Sequence, residues 1–470
     1  MTAATHFIDS YLLTARFFRG SLVMILLAGG NLCTAAHAGV FEDQLKQALA
    51  ASHQLGAAVE DWRKAREDVD KAYQSLEWSG TLNIVGELRR KNTNGGGYKL
   101  SGSNTTSVSA SRSLYDGGLA TASEAAAILT LEQAGWKVAE TEQSVLYSAV
   151  SAYVSLVSAR QRLALEETNV SRLEEHLRAS QLRLEYGEAT PTTVADTTAR
   201  LARAEAVMIS AETALAVAEA NYKSIIGNVP EQLDMPSLPD LGITDAQQAA
   251  EQAGKTHPLL MQRFLAERLV RKNMDVVVAK VQPTIDIDLG ASSLDGNRHT
   301  QTIEQVYAKV TLSTPLFPTH SVRAEARSRV AAHQSILRQR RDSERLVTLG
   351  AANSFRQYRA AQALISAVES ELEAANLVWD GTIQEVEFGL KTILDQLDAE
   401  QDVVNAEVNR LEAVRDLVLA AYAVLRDTGQ LRVQQLGLAG QTDLQSLPQP
   451  ANPLAGIPPR LIYDETTDTP

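Results

Sequence analysis

Three charged side chains in the last third of the chain are spaced for joint chemistry. Asp395 and Asp398 stand three residues apart and Lys391 four residues before Asp395, so a helix through them places both carboxylates on one face with an ammonium in reach. Taken alone, this is a solvated face carrying a surface ion pair worth ~0.2 to 1 kcal/mol. In a narrow pore, the same carboxylates would concentrate a negative potential and favour cations. They lie in the segment Gly389-Leu390-Lys391-Thr392-Ile393-Leu394-Asp395-Gln396-Leu397-Asp398-Ala399. A second copy of the frame occurs at Gly187-Glu188-Ala189-Thr190-Pro191-Thr192-Thr193-Val194-Ala195-Asp196, with Thr193 in place of the first aspartate. In both, glycine suits a helix C-terminus because it accepts a left-handed backbone, and the threonine three residues on suits the start of the next helix. Gly187, Thr190, Gly389 and Thr392 are thus expected to make two sharp helix turns.

No enzymatic chemistry is encoded. The chain has no H-E-x-x-H, G-x-S-x-G or G-x-x-x-x-G-K-[ST] motif. Beyond residue 38 the histidines are scattered: His53, His176, His257, His299, His320 and His333. No catalytic residue, cofactor or metal is assigned. The balance of 44 Lys plus Arg against 57 Asp plus Glu, a net charge of −13, disfavours a nucleic-acid partner, and an aromatic content of 5% disfavours base stacking. With one cysteine there is no intrachain disulfide. No stretch approaches the roughly 18 apolar residues of a membrane-spanning helix, which excludes a polytopic helical membrane protein.

The N-terminus reads as a secretory signal peptide, residues 1–38. Arg16 and Arg19 precede the apolar run Leu22 to Ala28, and Ala36-His37-Ala38 supplies an A-x-A cleavage site. The sole cysteine, Cys33, falls in the removed segment, where Gly30-Asn31-Leu32-Cys33 does not fit a lipidation signal. The remaining chain is expected to be cysteine-free and unlipidated.

The elements that must position the two turns repeat as well. An offset of 202 residues pairs Leu114-Tyr115 with Leu316-Phe317, Tyr153 with Phe355, Gly187 with Gly389, Asp196 with Asp398 and Gly227 with Gly429. Upstream the offset becomes 204, pairing His53 with His257. Each half reads as helix, strand pair, then two long helices. Leu131, Val138, Val145, Ala152, Ala159 and Leu173 lie on a seven-residue ladder; Ala149, Leu156, Leu163, Val170, Leu177 and Leu184 form a second. Ala351, Tyr358, Ile365, Leu372, Trp379 and Val386 repeat it in the second half, and such ladders are coiled-coil packing. Leu119 to Tyr186 contains no proline, allowing a helix of ~100 Å at 1.5 Å per residue.

The strands decide between a coiled-coil scaffold and a membrane protein. Residues 283–289 and 306–313 alternate apolar and polar, as do Leu82, Ile84, Gly86 and Leu88 against Thr81, Asn83, Val85 and Glu87, with Thr106, Val108 and Ala110 as a weaker partner. Segments of this kind build transmembrane β-barrels, in which Asp286 and Asp288 would line a wet lumen. Four strands cannot close a lipid-facing barrel, whose minimum is about eight, and lipid tolerates no open edge. Closure requires several chains, and three would give about twelve strands.

The expected fold is a mixed α+β membrane protein with an internal two-fold repeat. Three copies would supply twelve strands, four per protomer, to a transmembrane β-barrel, with the long coiled-coil helices beside it. The first repeat spans 39–242, with a β-hairpin about 80–113, long helices about 118–186 and 190–227 and a proline-rich connection 228–242. The second spans 243–429, with a hairpin about 283–313 and helices about 320–388 and 392–427; an irregular, Pro-rich tail covers 430–470.

This pattern resembles the TolC family of outer-membrane channel proteins over roughly residues 40 to 430, and the segment from Gly389 to Ala399 is similar to that family's G-x-x-T-x-x-D-x-L-x-A signature. The resemblance implies a homotrimer in the outer membrane of a Gram-negative bacterium, in contact with outer-membrane lipid, whose twelve-stranded transmembrane β-barrel is continued by a long α-helical coiled-coil periplasmic tunnel. It would receive substrate from a periplasmic adaptor and an inner-membrane transporter, with an ABC transporter as the expected type. It also places the gated end at the helical turn, where three-fold symmetry would make Asp395 and Asp398 a selectivity ring and Lys391 a gate ion pair. The family usually has arginine at the Lys391 position, and lysine cannot form the same bidentate bonds. Without a lipidated cysteine the chain looks most like the type I secretion branch that serves RTX-type toxins such as cyclolysin. The alternative is the outer-membrane component of a small-molecule efflux pump. A periplasmic adaptor would instead keep an inner-membrane anchor or lipid and lack the four amphipathic strands.

Overall fold

A computed structural model of the protein describes residues 38–438 apart from 73, 93–96, 297–301, 318 and 437. The expected signal peptide up to residue 37 with Cys33, the centres of both hairpin loops and the tail beyond 438 lie outside the described residues. The elements run α1 (Ala38–Ala51), α2 (His53–Lys71), β1 (Ser79–Asn92), β2 (Tyr98–Tyr115), α3 (Leu119–Glu185), α4 (Pro191–Ile225), α5 (Ala246–Thr256), α6 (Pro258–Ala279), β3 (Thr284–Gly296), β4 (Ile303–Ser313), α7 (His320–Glu387) and α8 (Ile393–Asp427).

The strands form one antiparallel sheet in the order β1-β2-β3-β4. The alternation in the sequence sets its faces. Leu82 pairs with Val108, Val108 with Ala291 and Ala291 with Val306, while Ile287 pairs with Val310 and Ile285 with Leu312, so the apolar residues share one side. The other side carries Ser107, Ser109 and Ser111 of β2 and an ion pair of 3.3 Å between Asp288 and Lys309. The apolar side is uncovered: Ile84 is 73% exposed, Leu88 80% and Val306 85%. No helix is long and apolar enough to cross a membrane among the described residues.

The long helices follow from their heptads. α3 spans 67 residues and α7 spans 68, each ~100 Å, and no residue of the three ladders named above is fully exposed. α4 and α8 return along them. α6 lies between α3 and α7, so the helical layer runs α2-α3-α6-α7 beneath the sheet. The main core sits midway, where α1, α3, α4 and α8 converge. Tyr153 and Tyr222 are buried there; Phe41 meets Tyr153 edge-on at 5.0 Å, and the Tyr153 hydroxyl donates to the Asp234 carbonyl at 3.0 Å. That last bond draws in the connection between the halves, which has no helix or strand from 227 to 245. The segment after α8 is irregular too, but its described part is packed rather than loose: Leu431 and Leu438 are fully buried, and the Glu142 carboxylate accepts from the Val433 amide at 2.7 Å.

Helix ends are set by side chains and by glycine. Ser52 and His257 cap α2 and α6, accepting from the Leu55 and Leu259 amides at 3.2 and 3.3 Å. The caps therefore align Ser52 with His257, an offset of 205 rather than the 204 read from the two histidines, because capping depends on which side chain reaches the free N–H. At the far end α3 and α7 close in the same motif. Gly187 (φ 76°) and Gly389 (φ 71°) donate to the Leu184 and Val386 carbonyls, and Glu188 and Leu390 reach back to Arg183 and Glu385. A Cβ at either glycine would meet nothing within 4 Å, so the need for glycine is conformational.

Two substitutions test these assignments. Tyr153→Ala should lower unfolding stability by about 3 to 5 kcal/mol and Tyr153→Phe by about 1 kcal/mol in denaturant titrations. Gly389→Ala should cost about 1 kcal/mol, seen as faster amide exchange confined to residues around the turn.

Candidate functional site

The candidate site is the end of the helical layer where α3 turns into α4 and α7 into α8. Each return helix starts on a threonine. Thr190 Oγ1 accepts from the Thr193 amide at 3.3 Å, while Thr392 takes part in a full capping box: its Oγ1 accepts from the Asp395 amide at 3.3 Å, and its own amide donates to Asp395 Oδ2 at 2.8 Å. The Thr392 hydroxyl is a further 2.7 Å from that oxygen. These bonds hold the Asp395 carboxyl below its ordinary value of 3.8, the Thr392 hydroxyl contributing most and its backbone N–H next. Thr193 completes no such box; its hydroxyl lies 3.0 Å from that of Thr190.

Asp398 is engaged differently. Arg200 of α4 reaches across to it at 2.7 Å and holds Asp196 of its own helix at 2.8 Å. The pair that the 202-residue offset makes equivalent, Asp196 and Asp398, thus grips one guanidinium between the two return helices. Hydrogen bonding from Asp196, with a further contribution from Asp398, raises the Arg200 pKa. Asp395 and Asp398 both remain exposed, but the capping oxygen of one is turned to Thr392 and the other carboxylate is bridged to Arg200.

Lys391 does not pair with Asp395. Its Nζ lies 2.7 Å from Glu385 and 3.4 Å from Thr382 Oγ1, tying the turn back to the outgoing helix α7. The reason is the left-handed step at Gly389, which folds Lys391 back over the last turn of α7 instead of continuing a helix in which i and i+4 would meet. Sequence reasoning missed Arg200 and Glu385. The signal available for Arg200 was its position four residues after Asp196; nothing in the sequence showed that α4 and α8 come together.

Above the tip, α3 and α8 are joined by more charge. Arg162 pairs with Glu412 at 2.6 Å, and the buried Glu400 accepts His176 at 2.9 Å and Arg172 at 3.6 Å. Val170, Leu173, Ala204 and Leu397 form a small apolar cluster beside them. The outermost surface of the tip is apolar and uncovered, with Tyr186 and Phe388 each 79% exposed and Leu390 77%. Nothing in this arrangement resembles a reaction centre; it is a set of breakable ties between helices, with unburied carboxylates and aromatic side chains at the end.

Comparison with known proteins agrees. The family model described as "Outer membrane efflux protein" matches residues 44–228 and 249–436. The outer membrane efflux protein BepC of Brucella suis biovar 1 (strain 1330) is 29% identical over 399 residues, 82% of this chain and 83% of BepC. Among solved structures, a membrane protein of Pseudomonas aeruginosa superposes with a TM-score of 0.72 at 15% identity over 83% of this chain and 93% of that one. The Campylobacter jejuni CmeC outer membrane channel gives 0.71 at 12% identity over 83% and 85%. Both structural matches speak to the fold. The chain belongs to the outer membrane efflux protein family, the TolC-like channels of the Gram-negative outer membrane that extend into the periplasm and are not enzymes.

Proposed function

We propose that three copies of this chain, each an internal two-fold repeat, close into a twelve-stranded barrel continued by a helical tunnel, forming the exit duct of an export assembly. The observation that carries this reading is the four-stranded sheet with an uncovered apolar face and two open edges, mounted on helices of ~100 Å. Lipid covers such a face, and only closure satisfies the edges. The strands are 11 to 18 residues long, enough to cross an outer membrane. Trp78 and Phe317, exposed near the base of the sheet, fit an interfacial aromatic belt.

The turns at Gly187 to Thr190 and Gly389 to Thr392 form the periplasmic end. There the duct meets a periplasmic adaptor and the inner-membrane transporter through the exposed Tyr186, Phe388 and Leu390. Asp395 and Asp398 supply negative charge at the constriction, and Lys391–Glu385 and Arg200–Asp398 are ties that resist its opening. For the cargo, the description of BepC as an efflux protein favours small molecules. Type I protein secretion with an ABC transporter is the second reading, favoured by the absence of a lipidation motif around Cys33.

Purified protein in planar bilayers should conduct, with a preference for cations that falls in the Asp395→Asn, Asp398→Asn double variant. Unchanged selectivity would refute the role of the carboxylates, and a complete lack of conductance in both proteins would refute the duct. Arg200→Ala should raise the conducting fraction. Because the Asp395 pKa is depressed, its charge and its cap persist above the ordinary carboxylate value and are lost only as pH falls through the lower one. Cation preference should therefore survive to about pH 4, and loss already at about pH 5 would contradict the assignment. Deleting the gene and measuring drug tolerance beside the secreted proteins separates the cargoes: lost tolerance with a normal secretome supports efflux, the converse secretion.

A further inference from the structure

Arg112 breaks the apolar side of the sheet. It lies opposite Ile287 and four residues after Val108, so it belongs to the face of Leu82, Val108 and Val306, and it is exposed. Its Nε donates to the Leu76 carbonyl at 2.8 Å, which fixes the guanidinium beside the start of β1, and it forms no ion pair with a described residue. Trp78, also exposed, comes one residue before β1; the register of Ser79 with Ser111 sets it level with Arg112.

A second arginine marks the far end of the same face. Arg90 of β1 is exposed, and its guanidinium carbon lies 4.6 Å from the centre of the exposed Tyr98 ring, a cation–π contact. Between the two arginines this face of β1 and β2 holds no charged side chain. The other charges on the face, Asp295 and Glu304, stand at the outer ends of β3 and β4.

A cation on the lipid side of a barrel is strongly penalised at the bilayer midplane and tolerated near the interfaces. Both arginines must therefore lie at borders, and their spacing agrees. Arg90 pairs with Leu100, and Arg112 follows Leu100 by twelve residues, about 40 Å along a strand. At the usual tilt of about 35 to 45° this is ~30 Å of height, slightly more than the apolar band of ~25 Å that such barrels present. Each guanidinium thus falls just outside the hydrocarbon, at the depth of lipid phosphates.

We propose that Arg112, with Trp78 beside it, binds the phosphate of a phospholipid headgroup in the periplasmic leaflet, while Arg90 and Tyr98 hold the opposite border. This rests on the lipid-facing reading of the sheet given above. A guanidinium suits phosphate oxygens because it offers several donors in a planar fork. With Nε committed to Leu76, the Nη nitrogens are the donors that remain, and the Trp78 indole is a ring of the kind that settles at headgroup depth. Repeated in each copy, the site fixes the height at which the barrel sits, and with it how far helices of ~100 Å reach below the membrane.

The test uses the full-length protein in native mass spectra, with either phosphatidylglycerol or galactosyl diacylglycerol, which carries no phosphate. Arg112→Gln should weaken retention of the phospholipid about tenfold and leave the galactolipid unchanged, and Arg112→Lys, which keeps the charge, should retain most of the binding. Unchanged phospholipid retention in Arg112→Gln, or an equal loss for both lipids, would overturn the site. A second measurement keeps the underlying reading separate. In vesicles, Trp78 fluorescence, taken as the difference from Trp78→Phe, should be quenched by a spin label at headgroup depth more than by one at the acyl-chain end. That quenching with unchanged phospholipid retention refutes the phosphate site and leaves the barrel standing. Stronger quenching from the chain end would overturn the border, and none from either label would overturn the lipid-facing sheet itself.

Discussion

Unpaired backbone at a sheet edge is the constraint on which this protein turns. A four-stranded antiparallel sheet leaves one side of β1 and one side of β4 without partners. In water such edges are a liability, and in lipid they are not tolerated. The apolar face that the alternation creates forces the choice, since it needs a lipid-facing position in which edges cannot stay open. The proposed assembly of several chains would satisfy both edges, and the long helices are arranged to match: each strand pair is bracketed by a helix that leads in and one that leads away.

From there the structure is a matter of carrying order over ~100 Å, far beyond the reach of the main core at its middle. Heptad ladders give α3 and α7 their continuous packing, and a knot of aromatic side chains around Tyr153 anchors the middle. The far end is held by weaker devices, namely two left-handed glycines, two threonine caps and a few ion pairs exposed to solvent. That gradient from a well-packed middle to a loosely tied tip suits the proposed conduit, in which the tip would be the end that opens.

Much of this is legible in the residues. Heptad spacing places the four long helices to within two residues, strict alternation places the first half of β3 and most of β4, and glycine followed by threonine three residues on locates both turns. The weaker alternation of β2 hides how long that strand is, because Gly102, Asn104, Thr106 and Arg112 interrupt its apolar side. The tip partners were not legible. Lys391 was expected near Asp395 on the assumption of one continuous helix, and the left-handed step at Gly389 sends it to Glu385 instead. Arg200 meets Asp398 because α4 and α8 both pack on α3 near the tip, where the long guanidinium side chain spans between them, a neighbourhood that no local pattern reports.

The most direct measurement of the central claim is the native mass of the full-length particle extracted from outer membranes. Closure of the sheet by other copies predicts one species with the mass of three chains and no folded monomer. A stable, folded single-chain particle would contradict it, because its sheet would then survive with both edges open.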